Sequence, residues 1–248
     1  MLTPDECDRL RVVLVATRNP LNLGAAARAM SNFGFHRLRV VNLYGLAFRE
    51  ARSAVGASQV LVDAQEYKTV AEAVADCTLV VGATAGRNRE FQHPLRRLEA
   101  GARLIGAQLR SQAVAILFGS EKVGLSNRDL SCCHWLLRIP TREGHPSMNL
   151  GQAVAVCLYE LARETEAEDA EPGAKPKAAI AADLERITAV LLETLRASGY
   201  LGAPPNTSAE EKVRRLVRRL DLSATDAEIW LGMLRQMAWK MGSGKKHD

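Results

Sequence analysis

Short apolar, β-branched runs alternate with helical patterns through the first two thirds of the chain. Most of the runs lack alternating polar positions, which is typical of strands that are covered on both faces. The alternation predicts an α/β domain with a mostly parallel sheet. The predicted strands are 11–17, 38–42, 60–62, 79–82, 114–119 and 135–139. The predicted helices are 22–33, 69–76, 95–109, 126–131 and 147–164.

The pattern changes after residue 163. Residues 164–179 carry five acidic residues, two prolines and one glycine without apolar periodicity, which predicts a linker. Helical patterns then resume, which predicts a small all-helical C-terminal domain. The predicted helices are at about 180–198, 208–220 and 224–241. The predicted domains are therefore 1–163 and 180–248, with an acidic linker at 164–179.

Composition narrows the class of protein. Hydrophobic residues make up 47% and charged residues 25% of the chain, as expected for a protein with a substantial core. No apolar run reaches the roughly 18 residues of a membrane span, and the first residues lack the features of a signal peptide. We therefore expect a cytoplasmic protein. The net charge of +5 is compatible with a polyanionic partner and does not require one.

The cysteines indicate neither disulfides nor a metal. There are five of them, an odd number, and no Cys-x-x-Cys pair. Cys132, Cys133 and His134 are consecutive, but neighbouring side chains face different ways and further ligands are missing nearby. Reduced thiols and no metal site are therefore expected.

The first of three segments with chemical potential follows the first predicted strand. Asn22 is a predicted helix N-cap, and Gly24 with the alanines after it leaves little side-chain bulk. Arg28 comes six positions after Asn22. Small residues let a large ligand approach a helix closely, and they equally permit tight packing of the helix on the sheet. Both interpretations remain open from composition.

The second segment surrounds Gly119, Glu121 and Gly124, directly after a buried strand. Ligands of open α/β sheets bind at the carboxyl ends of strands, and a glycine-rich turn lets backbone groups reach them. The segment is neither a dinucleotide fingerprint nor a phosphate-binding loop of the Walker type. A nicotinamide-dependent oxidoreductase is therefore not indicated.

The third segment again leaves a strand end and enters a helix. Ser147 and Asn149 lie at or near the start of that helix, where backbone N–H groups and the dipole suit an acceptor ligand. Simple capping is the alternative interpretation.

Together the segments resemble the motifs of the SPOUT superfamily's RNA ribose 2′-O-methyltransferases. Those motifs are N-x-G-x-x-x-R, F-G-x-E-x-x-G-L, and I-P followed by S-[LM]-N. The resemblance covers residues 11–163 closely. The linker and helical tail extend it to bacterial members that methylate cytidine or uridine at nucleotide 32 of the tRNA anticodon loop. It implies a C-terminal trefoil knot in the α/β domain, an exception to usual topology, and a homodimer in which each active site is completed by the other subunit.

The resemblance also implies roles for individual residues. The methyl donor would be S-adenosylmethionine. The first of the implied cofactor-binding loops is one residue longer in this sequence than in the family pattern. In the third motif, Met148 stands where leucine is commoner. Arg28 is implied to be catalytic, with Asn22, Glu121 and Asn149 as organisers. Because a guanidinium rarely loses its proton, a phosphate and oxyanion clamp is easier to defend for Arg28 than a base. The implied cofactor-binding residues are Ala83, Thr84, Ala85, Gly119, Ile139, Pro146, Ser147 and Met148.

Two sets of arginines are candidates for binding tRNA. The first is a stripe on a C-terminal helix, for which a solvated helix face is an equal alternative. The second follows the fourth predicted strand. The stripe comprises Arg214, Arg215, Arg218 and Arg219, and the second set comprises Arg87, Arg89, Arg96 and Arg97.

Two other functions stay open. One is a related enzyme that methylates ribosomal RNA or another tRNA position. The other is an RNA-binding protein that has lost catalysis, although the presence of Arg28, Asn22, Glu121 and Asn149 counts against it.

Overall fold

The computed structural model describes residues 2–41, 48–49, 51, 58–85, 92–142, 144–145, 147–163, 177–202 and 207–243. The chain divides into two compact units, 1–171 and 172–248. Pro146, Arg87 and Arg89 lie outside the described residues, as does the 164–176 part of the predicted linker.

A parallel sheet of seven strands forms the first unit, in the order β3-β2-β1-β6-β4-β7-β5. This confirms the predicted α/β class with a mostly parallel sheet. The strands are β1 Leu10–Val15, β2 Leu38–Val41, β3 Gln65–Tyr67, β4 Leu79–Ala83, β5 Leu95–Arg97, β6 Val114–Phe118 and β7 Trp135–Arg138. The helices are α1 Pro4–Asp8, α2 Pro20–Asn32, α3 Gln59–Val62, α4 Val70–Ala73, α5 Leu98–Leu109, α6 Asn127–Leu130 and α7 Leu150–Ala162.

The central strands are apolar because helices cover the sheet on both faces. Every residue of β6 is buried. Helix α2 packs against α7, and α7 also contacts α5. Met30 of α2 and Leu158 of α7 are fully buried in the same core as Leu14 of β1. This packing holds the starts of α2 and α7 close to the sheet.

Four adjacent strands end at one edge of the sheet. Leu14 is paired with Phe118 and Ala83 with Leu137, so β1 and β6, and β4 and β7, finish side by side. Strand β4 also pairs with β6, which joins the two pairs. The loops that leave β1, β4, β6 and β7 therefore share this carboxyl edge, which is where open α/β sheets bind ligands.

An ion-pair cluster stabilises the packing beside β1 and β2. Asp76 accepts hydrogen bonds from Arg39 at 2.9 Å and from Arg11 at 3.1 Å. Burial raises the pKa of Asp76, but the hydrogen bonds and charges of the two arginines outweigh burial and hold this pKa well below its usual range. The guanidinium of Arg39 is mostly buried, so its partner carboxylate is required to balance its charge.

Three sequence predictions of secondary structure are wrong or incomplete. The strand predicted at 60–62 is instead part of α3, where Val60 and Leu61 are buried against α2. A short apolar run does not distinguish a strand from one buried helical turn. The predicted helix 95–109 begins only at Leu98, because its first three residues form β5. Neither β3 nor α1 was predicted.

The second unit consists, in its described part, of α8 Ala181–Ala197, α9 Thr207–Arg219 and α10 Ala224–Ser243. Its core includes Leu184, Val217 and Leu234. The end of the predicted linker belongs to this unit, because Ala179 is buried and its N–H donates to the Leu222 carbonyl at 2.9 Å. Among the described helices, none combines the length and the apolar character needed to cross a membrane.

Candidate active site at the carboxyl edge

A chain of side-chain hydrogen bonds joins the three predicted motifs. The Asn149 Nδ2 donates to Asn22 Oδ1 at 2.9 Å, and the Asn22 Nδ2 donates to Glu121 Oε1 at 2.8 Å. The linked residues are 127 and 99 positions apart in the sequence. The chain connects the start of α2, the β6–α6 loop and the start of α7 at the carboxyl edge of the sheet.

The direction of every hydrogen bond in this chain is determined. Asn149 is the N-cap of α7, and its Oδ1 accepts from the N–H groups of Gly151 at 2.9 Å and Gln152 at 3.3 Å. An N–H only donates, so the Asn149 oxygen faces the helix and its Nδ2 donates to Asn22. Asn22 then accepts with its oxygen and has its amide nitrogen left for the Glu121 carboxylate. Both amide orientations therefore follow from the helix start.

Glu121 is held as an anion by this arrangement. Its two carboxylate oxygens also accept from the N–H groups of Arg18 and Asn19, each at 3.3 Å. Burial raises the pKa of Glu121, but the Asn22 amide and backbone N–H groups outweigh it, and the pKa lies below its usual value. A carboxylate with a lowered pKa is a weak proton acceptor. Glu121 is therefore suited to ordering the loop after β1 rather than to general-base chemistry.

The predicted cap of α2 is wrong by three residues. Asn19 is the N-cap, and its side chain accepts from the N–H of Leu21 at 2.9 Å. Asn22 lies inside the first turn, where it is buried and serves the hydrogen-bond chain instead. Just before the cap, Ala16 has a φ of 53°, in the left-handed region that a residue with a side chain seldom occupies. This conformation turns the chain sharply from β1 into α2.

Gly119 is required by the loop that it begins. A Cβ at this position would lie 2.1 Å from the carbonyl carbon of Gly124 and 2.2 Å from the nitrogen of Leu125. Gly124 has a φ of +68° and donates its N–H to the Ser120 carbonyl at 2.9 Å. The loop therefore folds back onto its own start, which presents Glu121 towards Asn22.

The small residues of α2 serve two purposes. A Cβ on Gly151 of α7 would lie 2.6 Å from the Cβ of Ala25, so the two helices are in close contact there. Ala26 and Ala27 are buried in the core. Gly24 has no atom within 4 Å of the position of a Cβ, so open space remains beside it. Tight packing thus accounts for Ala26 and Ala27, and the open space beside Gly24 permits close approach of a ligand.

The predicted cofactor residues that the structure describes lie around the ends of β4, β6 and β7. The Thr84 N–H donates to the Leu137 carbonyl at 2.9 Å, which extends the β4–β7 pairing to the predicted first loop. Ile139 directly follows β7 and is partly buried. At the start of α7, Met148 is partly buried and Ser147 is exposed. Ala83 is partly buried and Ala85 is exposed.

Arg28 is not part of the hydrogen-bond chain. It lies six residues after Asn22, which places it about 9 Å along α2 and roughly 120° around the helix axis. Its side chain is exposed and makes no ion pair or hydrogen bond with any other residue in the described part of the chain. A guanidinium in this state is available to an anionic ligand.

The predicted arginine stripe of the second unit is only partly exposed. The Arg218 side chain is 1% exposed and donates to Glu185 and to the Ala181 carbonyl, each at 3.3 Å. Arg214 also binds Glu185, at 2.9 Å, and is 18% exposed. Neither a phosphate-binding stripe of all four arginines nor a solvated helix face fits the buried Arg218, which ties α9 to α8. Arg215 lies 4.0 Å from Glu211, and Arg219 is exposed.

The consecutive cysteines and histidine have other partners. The Cys132 and Cys133 thiols are buried and lie 3.8 Å and 3.7 Å from carbonyl oxygens of α6. The His134 Nδ1 accepts from the N–H of Val80 at 3.0 Å. Within the described ranges, no three His, Cys, Asp or Glu side chains are grouped so as to hold a metal.

The fold and the site define an α/β enzyme with its ligand site at the carboxyl edge of a parallel sheet. Residues 9–159 match the SpoU rRNA Methylase family, and the chain belongs to that family. Membership confirms the resemblance carried by the three motifs. It makes the chain a methyltransferase, and with it comes the predicted methyl donor, S-adenosylmethionine.

Relatives with established names match nearly the whole chain. The chain is 36% identical to the tRNA (cytidine/uridine-2'-O-)-methyltransferase TrmJ of Klebsiella pneumoniae, over 91% of this chain and 94% of that protein. It is 35% identical to TrmJ of Escherichia coli K12, over 91% of this chain and 93% of that protein. The crystal structure of TrmJ from Z. mobilis ZM4 is similar with a TM-score of 0.78 and 30% identity, covering 92% of this chain and 98% of that one.

Proposed function

We propose that the chain transfers a methyl group to the ribose 2′-hydroxyl of nucleotide 32 in the anticodon loop of tRNA. The observation that carries the proposal is the hydrogen-bond chain from Asn149 through Asn22 to Glu121. These hydrogen bonds join three motifs that are far apart in the sequence at one edge of the sheet. Folding of the α/β domain alone does not require such a connection there. The similarity to tRNA (cytidine/uridine-2'-O-)-methyltransferases over nearly full length supports tRNA as the substrate.

The residues at the edge fit S-adenosylmethionine. Ala83 and Ile139 are apolar and only partly buried at the ends of the adjacent strands β4 and β7, and the partly buried Met148 lies just before α7. Such side chains can cover an adenine while nearby backbone groups bind its edge. When bound, the cofactor supplies an electrophilic methyl group on a sulfonium, which an oxygen nucleophile displaces from sulfur. Backbone groups of Thr84, Ala85, Gly119 and Ser147 complete the proposed cofactor site, together with Pro146.

Arg28 acts in this proposal on the RNA rather than on the cofactor. A ribose hydroxyl is a poor nucleophile at neutral pH, so negative charge on its oxygen must be stabilised as its proton passes to solvent water. The guanidinium of Arg28 keeps its own proton because its pKa is above about 12. It therefore grips the adjacent phosphate and stabilises the developing alkoxide. Its exposure and lack of partners in the described part of the chain leave it available for this role.

Asn22, Glu121 and Asn149 position the reacting groups. Their hydrogen bonds set the start of α2 relative to the start of α7, and thereby place Arg28 relative to Met148. Alignment of hydroxyl, methyl carbon and sulfur supplies a large part of the rate in such transfers. The three residues are positioning residues in this account.

Two further features belong to the proposal. The first is a homodimer with a trefoil knot in each α/β domain, in which the second subunit completes the site. The second is tRNA binding by the helical unit through Arg214, Arg215 and Arg219, assisted by Arg87 of the first unit. Arg218 is excluded from the binding set by its burial.

The test combines transfer with mapping. Purified protein is incubated with labelled S-adenosylmethionine and unmodified tRNA transcripts, and ribose methylation is mapped by nucleotide. We expect methylation at nucleotide 32. Methylation confined to ribosomal RNA or to another tRNA position would contradict the assignment of nucleotide 32 as the methylated position. No transfer to any RNA would favour an RNA-binding protein without catalysis.

The role of Arg28 is tested with matched variants. Arg28→Ala is expected to lose at least about 100-fold in transfer rate, as for removal of one oxyanion-stabilising group, while the cofactor binds normally. Arg103→Ala removes another exposed arginine, from α5, and is expected to behave as the wild type. Wild-type transfer by Arg28→Ala would overturn the role of Arg28.

A further inference from the structure

Two arginines stand side by side on the edge of the sheet. Arg97 of β5 and Arg138 of β7 are paired in the parallel register. Paired residues of neighbouring strands are about 4.8 Å apart and their side chains point to the same face. Both arginines are the last residues of their strands, so the pair lies at the carboxyl edge that carries the candidate active site.

The charge of this pair is only half balanced. Like charges that face each other across two strands destabilise the sheet. Arg97 has a partner in Glu99 at 3.1 Å, but this pair is on the surface, with the Arg97 side chain 70% exposed. Arg138 is half-buried and has no ion pair or hydrogen bond with another residue of the described ranges. An additional anion is what this arrangement lacks.

The neighbouring Arg96 of β5 differs from Arg97 in its surroundings. Arg96 points to the opposite face, where its guanidinium lies 5.6 Å from the centre of the Trp135 ring. That face is covered by α5, whose Gly101 is packed directly against Leu137. Arg96 therefore has an aromatic partner on the far face, and only Arg97 and Arg138 face an open edge together.

We infer that Arg97 and Arg138 together bind one phosphodiester of the RNA substrate beside the active site. The inference rests on the proposed function for the identity of the anion. Arg138 directly precedes Ile139 of the third motif, so the pair lies next to the proposed methyl-transfer site. Two guanidinium forks can bind the oxygens of one phosphate with several hydrogen bonds.

A phosphodiester is favoured over a small anion by the openness of the site. Because Arg97 is largely exposed, the pair is accessible to a macromolecule. A surface ion pair such as Arg97–Glu99 contributes little stability, so Arg97 can exchange the carboxylate for a phosphate at small cost. Arg142, which is exposed on the segment after β7, adds positive charge along the same edge.

The experiment measures tRNA binding as a function of salt. The variants are Arg97→Gln, Arg138→Gln, the double variant and Arg138→Lys, with Arg103→Gln as the control for removing one exposed positive charge. We expect each single glutamine variant to bind tRNA roughly 5-fold more weakly at low salt. The slope of log affinity against log salt should become shallower by about 1 in the double variant, since neutralising one phosphate releases about one counterion. Arg138→Lys should retain most of the slope.

Cofactor binding and methyl transfer are measured on the same proteins. S-adenosylmethionine affinity should be unchanged in every variant. Weaker cofactor binding with unchanged tRNA binding would overturn the inference and assign the pair to the cofactor carboxylate. The inference would also be overturned if the double variant had the tRNA affinity of the wild type and the same dependence of that affinity on salt. If the wild type binds tRNA through the pair but methylates no RNA, the proposed function fails and the inference stands.

Discussion

The hydrogen-bond chain at the site makes a sharp prediction for Asn22→Asp. The substitution keeps the shape of the side chain but replaces the amide that donates to Glu121 at 2.8 Å with a carboxylate oxygen. Two charged carboxylates about 3 Å apart repel by roughly 1.4 kcal/mol at the dielectric constant of water and by about 5.5 kcal/mol at the effective value of 20 typical of a protein surface. Because Glu121 is largely exposed, the lower half of that range applies, about 1.5–3 kcal/mol. Loss of the hydrogen bond to a charged group adds about 1.5 kcal/mol, the low end of its range because Glu121 is largely exposed. The expected loss in the free energy of unfolding is about 3 kcal/mol at pH 8.

The loss should depend on pH with a defined sign. In the folded variant, Glu121 raises the pKa of the introduced carboxyl group at position 22 above its unfolded value of about 3.9. The folded state therefore binds more protons than the unfolded state, and the destabilisation shrinks as pH falls. Once protonated, the introduced carboxyl group can again donate to Glu121 and accept from Asn149. About 1 kcal/mol should remain near pH 5.

Urea unfolding followed by circular dichroism at the two pH values is the assay. Asn32→Asp is the matched control, because it makes the same substitution in the same helix at an exposed position. An aspartate near the end of a helix costs only a few tenths of a kcal/mol. Equal effects of the two substitutions at both pH values would refute the connection between Asn22 and Glu121.

Four further substitutions test the packing within the two units. Gly119→Ala should destabilise the folded protein by roughly 3 kcal/mol, because the added Cβ would collide with backbone atoms. Gly106→Ala, which adds a Cβ in open space within α5, should stabilise it by about 0.5–1 kcal/mol. The midpoints of urea unfolding test both predictions. Asp76→Asn should cost about 2 kcal/mol at pH 7, less than a fully buried pair because Asp76 is partly exposed. The pKa of Asp76 is lowered in the folded state, so its stabilisation is present above its unfolded value of about 3.8 and the difference from wild type should shrink as pH falls below about 4. Arg218→Gln should lower the thermal stability of the helical unit by about 2 kcal/mol, and an unchanged melting curve would contradict its structural role.

The sequence was sufficient to predict the centre of the sheet but not its edges. Strands such as β6 and β7 are continuous apolar runs because both of their faces are covered. The two strands that were not predicted, β3 and β5, are the two edge strands of the sheet. Edge strands tend to carry polar and charged residues, which prevent pairing with other chains, so Leu95–Arg97 lacks the apolar signal of a strand.

The sequence predicted that the three motifs follow strand ends, but it did not predict the hydrogen bonds that connect them. The motifs placed Asn22, Glu121 and Asn149 at strand ends, and the parallel topology brings those ends together. The hydrogen bonds between them join positions about a hundred residues apart, and local sequence carries no signal for such pairs. The local interpretation of Asn22 as a helix cap was wrong for that reason. Likewise, helical spacing cannot reveal that Arg218 faces Glu185 of another helix.

The central claim is that the site delivers a methyl group to one ribose hydroxyl of tRNA. The most direct measurement is transfer to a tRNA transcript in which only nucleotide 32 is a 2′-deoxynucleotide, compared with transcripts carrying the 2′-deoxy substitution at the adjacent nucleotide or nowhere. Transfer is expected to be lost for the first transcript and retained for the other two. Undiminished transfer to the transcript that lacks the hydroxyl at nucleotide 32 would contradict the central claim.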